Sequence, residues 1–145
     1  TNLTNLKKIF ISSDHAGYRL KDYIKNNITK KIKVFDLGPF DTKSVDYPLY
    51  AHKLAKNVKK SKNNFGILIC GSGTGMSMAA NKHKGVRAAI CWNKKIAKLA
   101  RNHNNANIIS IPARFITLKE SIEIINVFIQ EGFDGGRHTQ RVNKI

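Results

Sequence analysis

One thiol stands where it could carry chemistry. Cys70 closes the apolar run Phe65-Gly66-Ile67-Leu68-Ile69 and is followed at once by Gly71-Ser72-Gly73-Thr74-Gly75. A glycine-rich turn leading into a helix presents closely spaced backbone N–H groups to an anion. A thiol beside such donors is expected to have a lowered pKa, and a thiolate is both a nucleophile and a proton acceptor. On residue types alone the same segment also reads as a tight strand-to-helix turn closed by a structural cysteine. Cys91, followed by Trp92 and no glycine loop, is the internal comparison and reads as structural. The loop is neither a dinucleotide fingerprint, because Met76 occupies the third glycine position, nor a P-loop, which would end in Gly-Lys-Ser/Thr.

The other candidate groups are spread along the chain. His103 lies in Arg101-Asn102-His103-Asn104-Asn105-Ala106-Asn107, a polar cluster that also suits a helix C-cap. Asp14 and His15 follow the first apolar run, where an Asp can equally cap the next helix. Arg137 and Arg141 are spaced i, i+4, so on a short helix they would form a clamp for one phosphate, and off a helix a solvated basic tail. His52 and His83 sit among lysines on expected helix surfaces and receive no role. No carboxylate side chain occurs between Asp46 and Glu120, so a general base in that stretch must be Cys or His. With the histidines scattered as well, no metal site is expected.

Charge at first points elsewhere. The 145 residues carry 26 Lys+Arg against nine Asp+Glu, a net +17, which suggests a polyanionic partner. Residues 47–119 hold fourteen of the basic residues and no acidic one. Yet twenty of the cations are Lys, alongside fifteen Asn and eighteen Ile, residues that share AT-rich codons. The six Arg are then the informative positions, since a planar two-pronged donor suits phosphate. A nucleic-acid-binding module remains the competing function, but no helix-turn-helix, zinc-finger or RNA-sheet motif is present, and no nucleic-acid partner is expected. Two cysteines exclude a disulfide framework. No apolar run suits a membrane span, and the start Thr-Asn-Leu-Thr-Asn-Leu-Lys-Lys lacks a signal-peptide core, so a soluble cytoplasmic protein with no membrane partner is expected.

Apolar runs and amphipathic stretches alternate. Strands are predicted at 8–12, 32–36, 65–70, 86–90 and 108–111, and helices at about 17–27, 47–60, from after Gly75 to about 81, 93–102 (Ile96, Leu99 and Ala100 inward) and 118–130. This pattern predicts one α/β domain over 1–145, a three-layer Rossmann-like fold with a five-stranded parallel sheet. Ligands in such sheets sit beyond the carboxyl ends of the strands, where strand order reverses. If the polar ends of strands one and three face one ligand, those strands are neighbours, which favours the order 2-1-3-4-5.

Six separated motifs, from about residue 8 to 145, resemble type B ribose-5-phosphate isomerase. They are Ser13-Asp14-His15-Ala16-Gly17, Ser44-Val45-Asp46-Tyr47-Pro48, the run Gly66 to Ser77, Ala79-Ala80-Asn81-Lys82, His103-Asn104 with Ala106-Asn107, and Gly135-Gly136-Arg137-His138 with Arg141-Val142. The resemblance implies an enzyme of the ribose, allose and galactose phosphate isomerase group. It would work without metal or organic cofactor as a homodimer, or a dimer of dimers, with active sites at the subunit interface. It implies Cys70 as the proton-transfer base, His103 as the ring-opening acid/base, and Ser72 with the amides of Gly71, Gly73, Thr74 and Gly75 around the developing oxyanion. Asn104 and Asp14 would bind sugar hydroxyls; His15, Arg114, Arg137 and Arg141 would hold phosphate or line the site. A neighbouring carboxylate would raise the Cys70 pKa, and the carboxylate-free middle of the chain fits its absence. The sequence departs from the family pattern at Ser72, Asn105 and Pro112, where Thr, Asp and Gly are frequent, and Pro112 bears on where Arg114 lies. The activity the resemblance implies is aldose–ketose isomerisation of ribose 5-phosphate and ribulose 5-phosphate through an enediolate, with allose 6-phosphate or galactose 6-phosphate as the alternative substrate.

Overall fold

The computed structural model describes residues 7–28 and 32–145; the opening segment read above for a signal peptide lies outside them, apart from its last two residues. The chain runs β1 (Lys8–Ser13), α1 (Tyr18–Asn27), β2 (Lys33–Asp36), α2 (Tyr47–Val58), β3 (Asn64–Cys70), α3 (Thr74–Ala80), β4 (Ala88–Ile90), α4 (Lys94–Asn104), β5 (Ile108–Pro112), α5 (Leu118–Gln130) and α6 (Arg137–Val142). All strand pairings are parallel. Among the described residues no helix is long and apolar enough to cross a membrane.

The sheet is sandwiched because its two faces are both apolar. Ile9, Ile11, Ile67, Ile69, Ile109 and Ile111 meet α1, α4 and α5 on one side. Leu68, Cys70 and Ile108 meet α2 and α3 on the other. Residues 64–70 are buried throughout, as a central parallel strand requires. On α4 the buried positions are Ala97, Ala100, Arg101 and Asn102; Leu99, expected inward, is 39% exposed because it falls off that stripe.

The strand order is β2-β1-β3-β5-β4, not 2-1-3-4-5. β1 and β3 are neighbours as expected, but β5 lies between β3 and β4. The physical reason is burial. Ile108–Pro112 is buried at every position, while the three residues of β4, Ala88-Ala89-Ile90, are only half-buried and suit an edge. The exchange matters for the site, since it sets Pro112 opposite Cys70 and Arg114 beyond it, with Cys91-Trp92 moved outward.

The β1–α1 turn is held against β3. A Cβ on Gly17 would stand 2.5 Å from the Ile69 carbonyl oxygen, a backbone atom with no room to yield. Gly17→Ala is therefore expected to cost about 1–3 kcal/mol in urea unfolding, the range for overpacking. Gly132→Ala, with nothing within 4 Å, is expected to leave the midpoint unchanged.

Candidate active site

The carboxyl ends of β1, β3 and β5 frame a cleft of about 320 Å³ lined by Asp14, Tyr47, Cys70, Gly71, Ser72, Gly75, Arg114 and Phe115. Cys70 ends a strand paired on both sides of its length, so its position is fixed by the sheet. Beyond it the chain turns sharply at Gly73, whose φ of +76° favours glycine. Ser110 Oγ donates to the Gly73 carbonyl at 2.5 Å and ties that turn to β5. The Gly73 N–H donates to Cys70 Sγ at 3.1 Å, and the Thr74 N–H to Ser72 Oγ at 3.3 Å. Ser72 thus accepts from the loop and keeps its own hydroxyl proton to donate.

Beyond Pro112 the backbone is tied to the glycine loop. The Ala113 N–H donates to the Cys70 carbonyl at 2.8 Å and the Arg114 N–H to the Gly71 carbonyl at 3.1 Å. The guanidinium lies across Gly71, its Nη1 3.1 Å from where a Cβ would be. Asp14 is half-buried; its N–H reaches the Ile69 carbonyl, and its Oδ1 accepts from the Gly17 N–H at 2.8 Å. His15 is exposed beside it and lines neither this cleft nor the one described next.

The thiol differs from its sequence-based expectation. Burial pushes the Cys70 pKa up rather than down, and the Asp14 carboxylate adds to the rise. The amides of Met76, Gly73 and Ser72 oppose that shift without reversing it. A carboxylate is therefore close to Cys70 after all: it comes from β1, outside the acid-free stretch 47–119. Cys91, wholly buried without such donors, is pushed up to about 12.

A second cleft, about 400 Å³, is lined by His103, Asn104, His138, Arg141, Val142 and Ile145. Asn102 pins the segment leading to α6, donating to the Gly132 carbonyl at 2.8 Å while its own backbone carbonyl accepts from the Asp134 N–H at 3.0 Å. The tail then turns at Gly135 and Gly136 into α6, which puts Arg137 and Arg141 on one short helix. His138 stacks on His103 with centroids 4.2 Å apart and planes 13° from parallel. Desolvation lowers the His138 pKa, helped by His103, Arg137 and Arg141.

No residue lines both clefts. Cys70 ends a strand, whereas His103 sits at the end of α4 just before β5 begins. In a parallel sheet those are opposite edges, about 15–20 Å apart at 3.3 Å per strand residue.

The sequence profile of the family described as Ribose/Galactose Isomerase matches residues 9–145. The chain belongs to this family. The probable ribose-5-phosphate isomerase B of Mycoplasma genitalium is 50% identical over 141 residues, spanning 94% of this chain and 92% of that protein. The solved ribose 5-phosphate isomerase of Thermotoga maritima is 47% identical, with a TM-score of 0.92 over 95% of this chain and 96% of its own. The ribose-5-phosphate isomerase B of Mycoplasma genitalium solved with bound ribulose-5-phosphate is 48% identical, with a TM-score of 0.91 over 94% and 92%.

In this ribose/galactose isomerase five cleft residues went unassigned in the sequence: Tyr47, Phe115, His138, Val142 and Ile145. Tyr47 rests its ring on Gly75, where a Cβ would fall 2.6 Å from Cζ. Phe115 closes the rim beside Arg114, and His138 covers His103. Tyr47, His138 and Val142 lie inside motifs already singled out, which was the available signal; Phe115 and Ile145 left none.

The raised thiol sets a pH dependence. In the free protein Cys70 is protonated at neutral pH, so its alkylation by iodoacetamide is expected to accelerate with a midpoint above that of an unperturbed cysteine. Asp14→Asn removes a charge that disfavours the thiolate and is expected to move the midpoint to lower pH. A midpoint at or below the ordinary value, unmoved by that substitution, would contradict the assignment.

Proposed function

We propose that this ribose/galactose isomerase interconverts ribose 5-phosphate and ribulose 5-phosphate by moving one proton between C2 and C1. The observation that carries this reading is a thiol whose sulfur faces backbone amides inside a cleft that also offers a hydroxyl donor and a guanidinium. The bound ribulose-5-phosphate of the Mycoplasma genitalium relative supports the same substrate.

His103 opens the furanose by taking the C1 hydroxyl proton and returning a proton to the ring oxygen. The Cys70 thiolate then removes the C2 proton. The freed electron pair forms the C1–C2 double bond, and O1 becomes an enediolate oxyanion. Cys70 returns its proton to C1 as O2 becomes the carbonyl and its hydroxyl proton passes to O1. A thiol of raised pKa yields a stronger base once ionised, which suits a weakly acidic C–H. Ser72 donates to the oxyanion, with the Gly71, Gly73, Thr74 and Gly75 turn shaping its side of the cleft. Asp14 and Asn104 bind sugar hydroxyls, and His15, Arg114, Arg137 and Arg141 hold the phosphate.

The reaction needs both clefts, and one chain sets them at opposite edges of its sheet. A homodimer solves this when the His103 cleft of one subunit closes over the Cys70 cleft of the other, giving two composite sites by symmetry.

Cys70→Ala is expected to lower kcat for ribose 5-phosphate roughly 100- to 10,000-fold, the range for lost acid–base catalysis, with ribulose 5-phosphate binding changed less than about threefold. Turnover near that of the unmodified protein would contradict the mechanism. A parallel kcat/KM with allose 6-phosphate separates five-carbon from six-carbon preference.

A further inference from the structure

At the amino-terminal edge of the sheet a pocket of about 430 Å³ gathers positive charge that no carboxylate balances. Lys59 and Lys62 reach it from the end of α2 and the loop that follows, Arg87 from just before β4, and Arg101 from α4. Arg101 is only 5% exposed. Its Nε donates to the Glu131 carbonyl at 3.3 Å, and its Nη1 to Asn105 Oδ1 at 3.1 Å and the Ala106 carbonyl at 2.6 Å. Arg87 donates through Nε to the Asn105 carbonyl at 2.7 Å and through Nη1 to the Gly85 carbonyl at 3.4 Å. Among the described residues Nη2 of either guanidinium donates to no protein group.

Each acceptor is neutral. The ion pairs of the described residues are Lys21–Asp36, Lys25–Asp36 and Lys98–Glu131, and none touches these four cations. The Glu131 carboxylate is engaged by Asn102 and Lys98 instead. The ends of α2 and α4 contribute partial negative charge, about half a unit each, against four formal positive charges. The surplus is about three. Burial lowers the pKa of both arginines, and Arg87 lowers that of Arg101 further, the response expected of like charges with no counter-ion. Buried charges are ordinarily paired.

We propose that this pocket is a second anion site, taking a phosphate dianion, free or as the phosphate of a small ester, between the Arg87 and Arg101 guanidiniums with Lys59 and Lys62 at the mouth. It shares no residue with either cleft of the candidate active site. It lies beside the start of β3, about 20 Å along that strand from Cys70. Asn105 is the position that leaves it open: it stands in the left-handed region at φ +49°, which Asp also tolerates, and it touches Arg101 through the atom Asp would charge.

The experiment is calorimetric titration of the full chain with inorganic phosphate and with adenosine 5′-monophosphate at constant ionic strength. The background is Arg137→Ala/Arg141→Ala, which removes two of the groups proposed to hold the substrate phosphate. One phosphate per chain is expected to bind, and Asn105→Asp should weaken it at least tenfold by supplying an internal anion. Lys59→Gln/Lys62→Gln is expected to weaken it about three- to tenfold, and this variant carries the test if Asn105→Asp fails to fold. Binding of orthophosphate alone would identify a free-ion site, and tighter binding of the nucleotide an ester site; both support the proposal. No binding at millimolar phosphate, loss of all binding in the Arg137→Ala/Arg141→Ala background, or equal affinity in the pocket variants would overturn it. Because Asn105, Lys59 and Lys62 line neither catalytic cleft, a loss of phosphate binding in their variants is independent of whether the isomerase reading stands.

Discussion

The direction of the chain in a parallel sheet is the constraint on which the site depends. Every strand ends at one edge and begins at the other, so residues that follow strands and residues that precede them never meet across one sheet. Asp14, Cys70 and Arg114 follow β1, β3 and β5 and converge. His103 and Asn104 close the helix that returns the chain to the start of β5, and therefore stand at the far edge. Pinning the 131–136 segment to Asn102 then brings α6 and its two arginines to that same edge. Under the proposed mechanism these are the two halves of one site, each lacking what the other holds.

Within the first half, the energetics of Cys70 balance two opposed demands. A thiol deep in a packed sheet resists ionisation, and the Asp14 carboxylate adds to that resistance. Backbone amides aimed at sulfur keep the thiolate accessible without making it the resting state. Cys91, more deeply buried and without such donors, has its thiol pushed up to about 12. What sets Cys70, the proposed base, apart from Cys91 is also the turn that follows, with Gly73 folding its N–H back onto sulfur and Ser110 locking that geometry from the neighbouring strand.

Much of this was legible in the residues. Alternating apolar runs placed all five strands, and continuous burial of Asn64–Cys70 follows from its unbroken apolar character. The order of β4 and β5 was not legible from chain order, because adjacency in sequence says less than how much apolar surface each strand can bury; Ala88-Ala89-Ile90 against Ile108-Ile109-Ser110-Ile111 decides it. The sign of the Cys70 shift was missed for a related reason. Counting acids along 47–119 is a one-dimensional measure, while Asp14 reaches the thiol through β1–β3 pairing. His138 over His103 depends on a turn at two glycines and one asparagine side chain, contacts that spacing along the chain does not encode.

In the proposed mechanism the thiol of one chain and the imidazole of another serve one reaction. Mixing two inactive variants, Cys70→Ala and His103→Ala, after unfolding and refolding together tests it directly. In a two-fold dimer with composite sites, each mixed dimer carries one intact site and one doubly impaired site. Random reassociation makes half the dimers mixed, so about a quarter of the unmodified activity should return. Activity no greater than that of either variant alone, with mixed dimers present, would contradict the account.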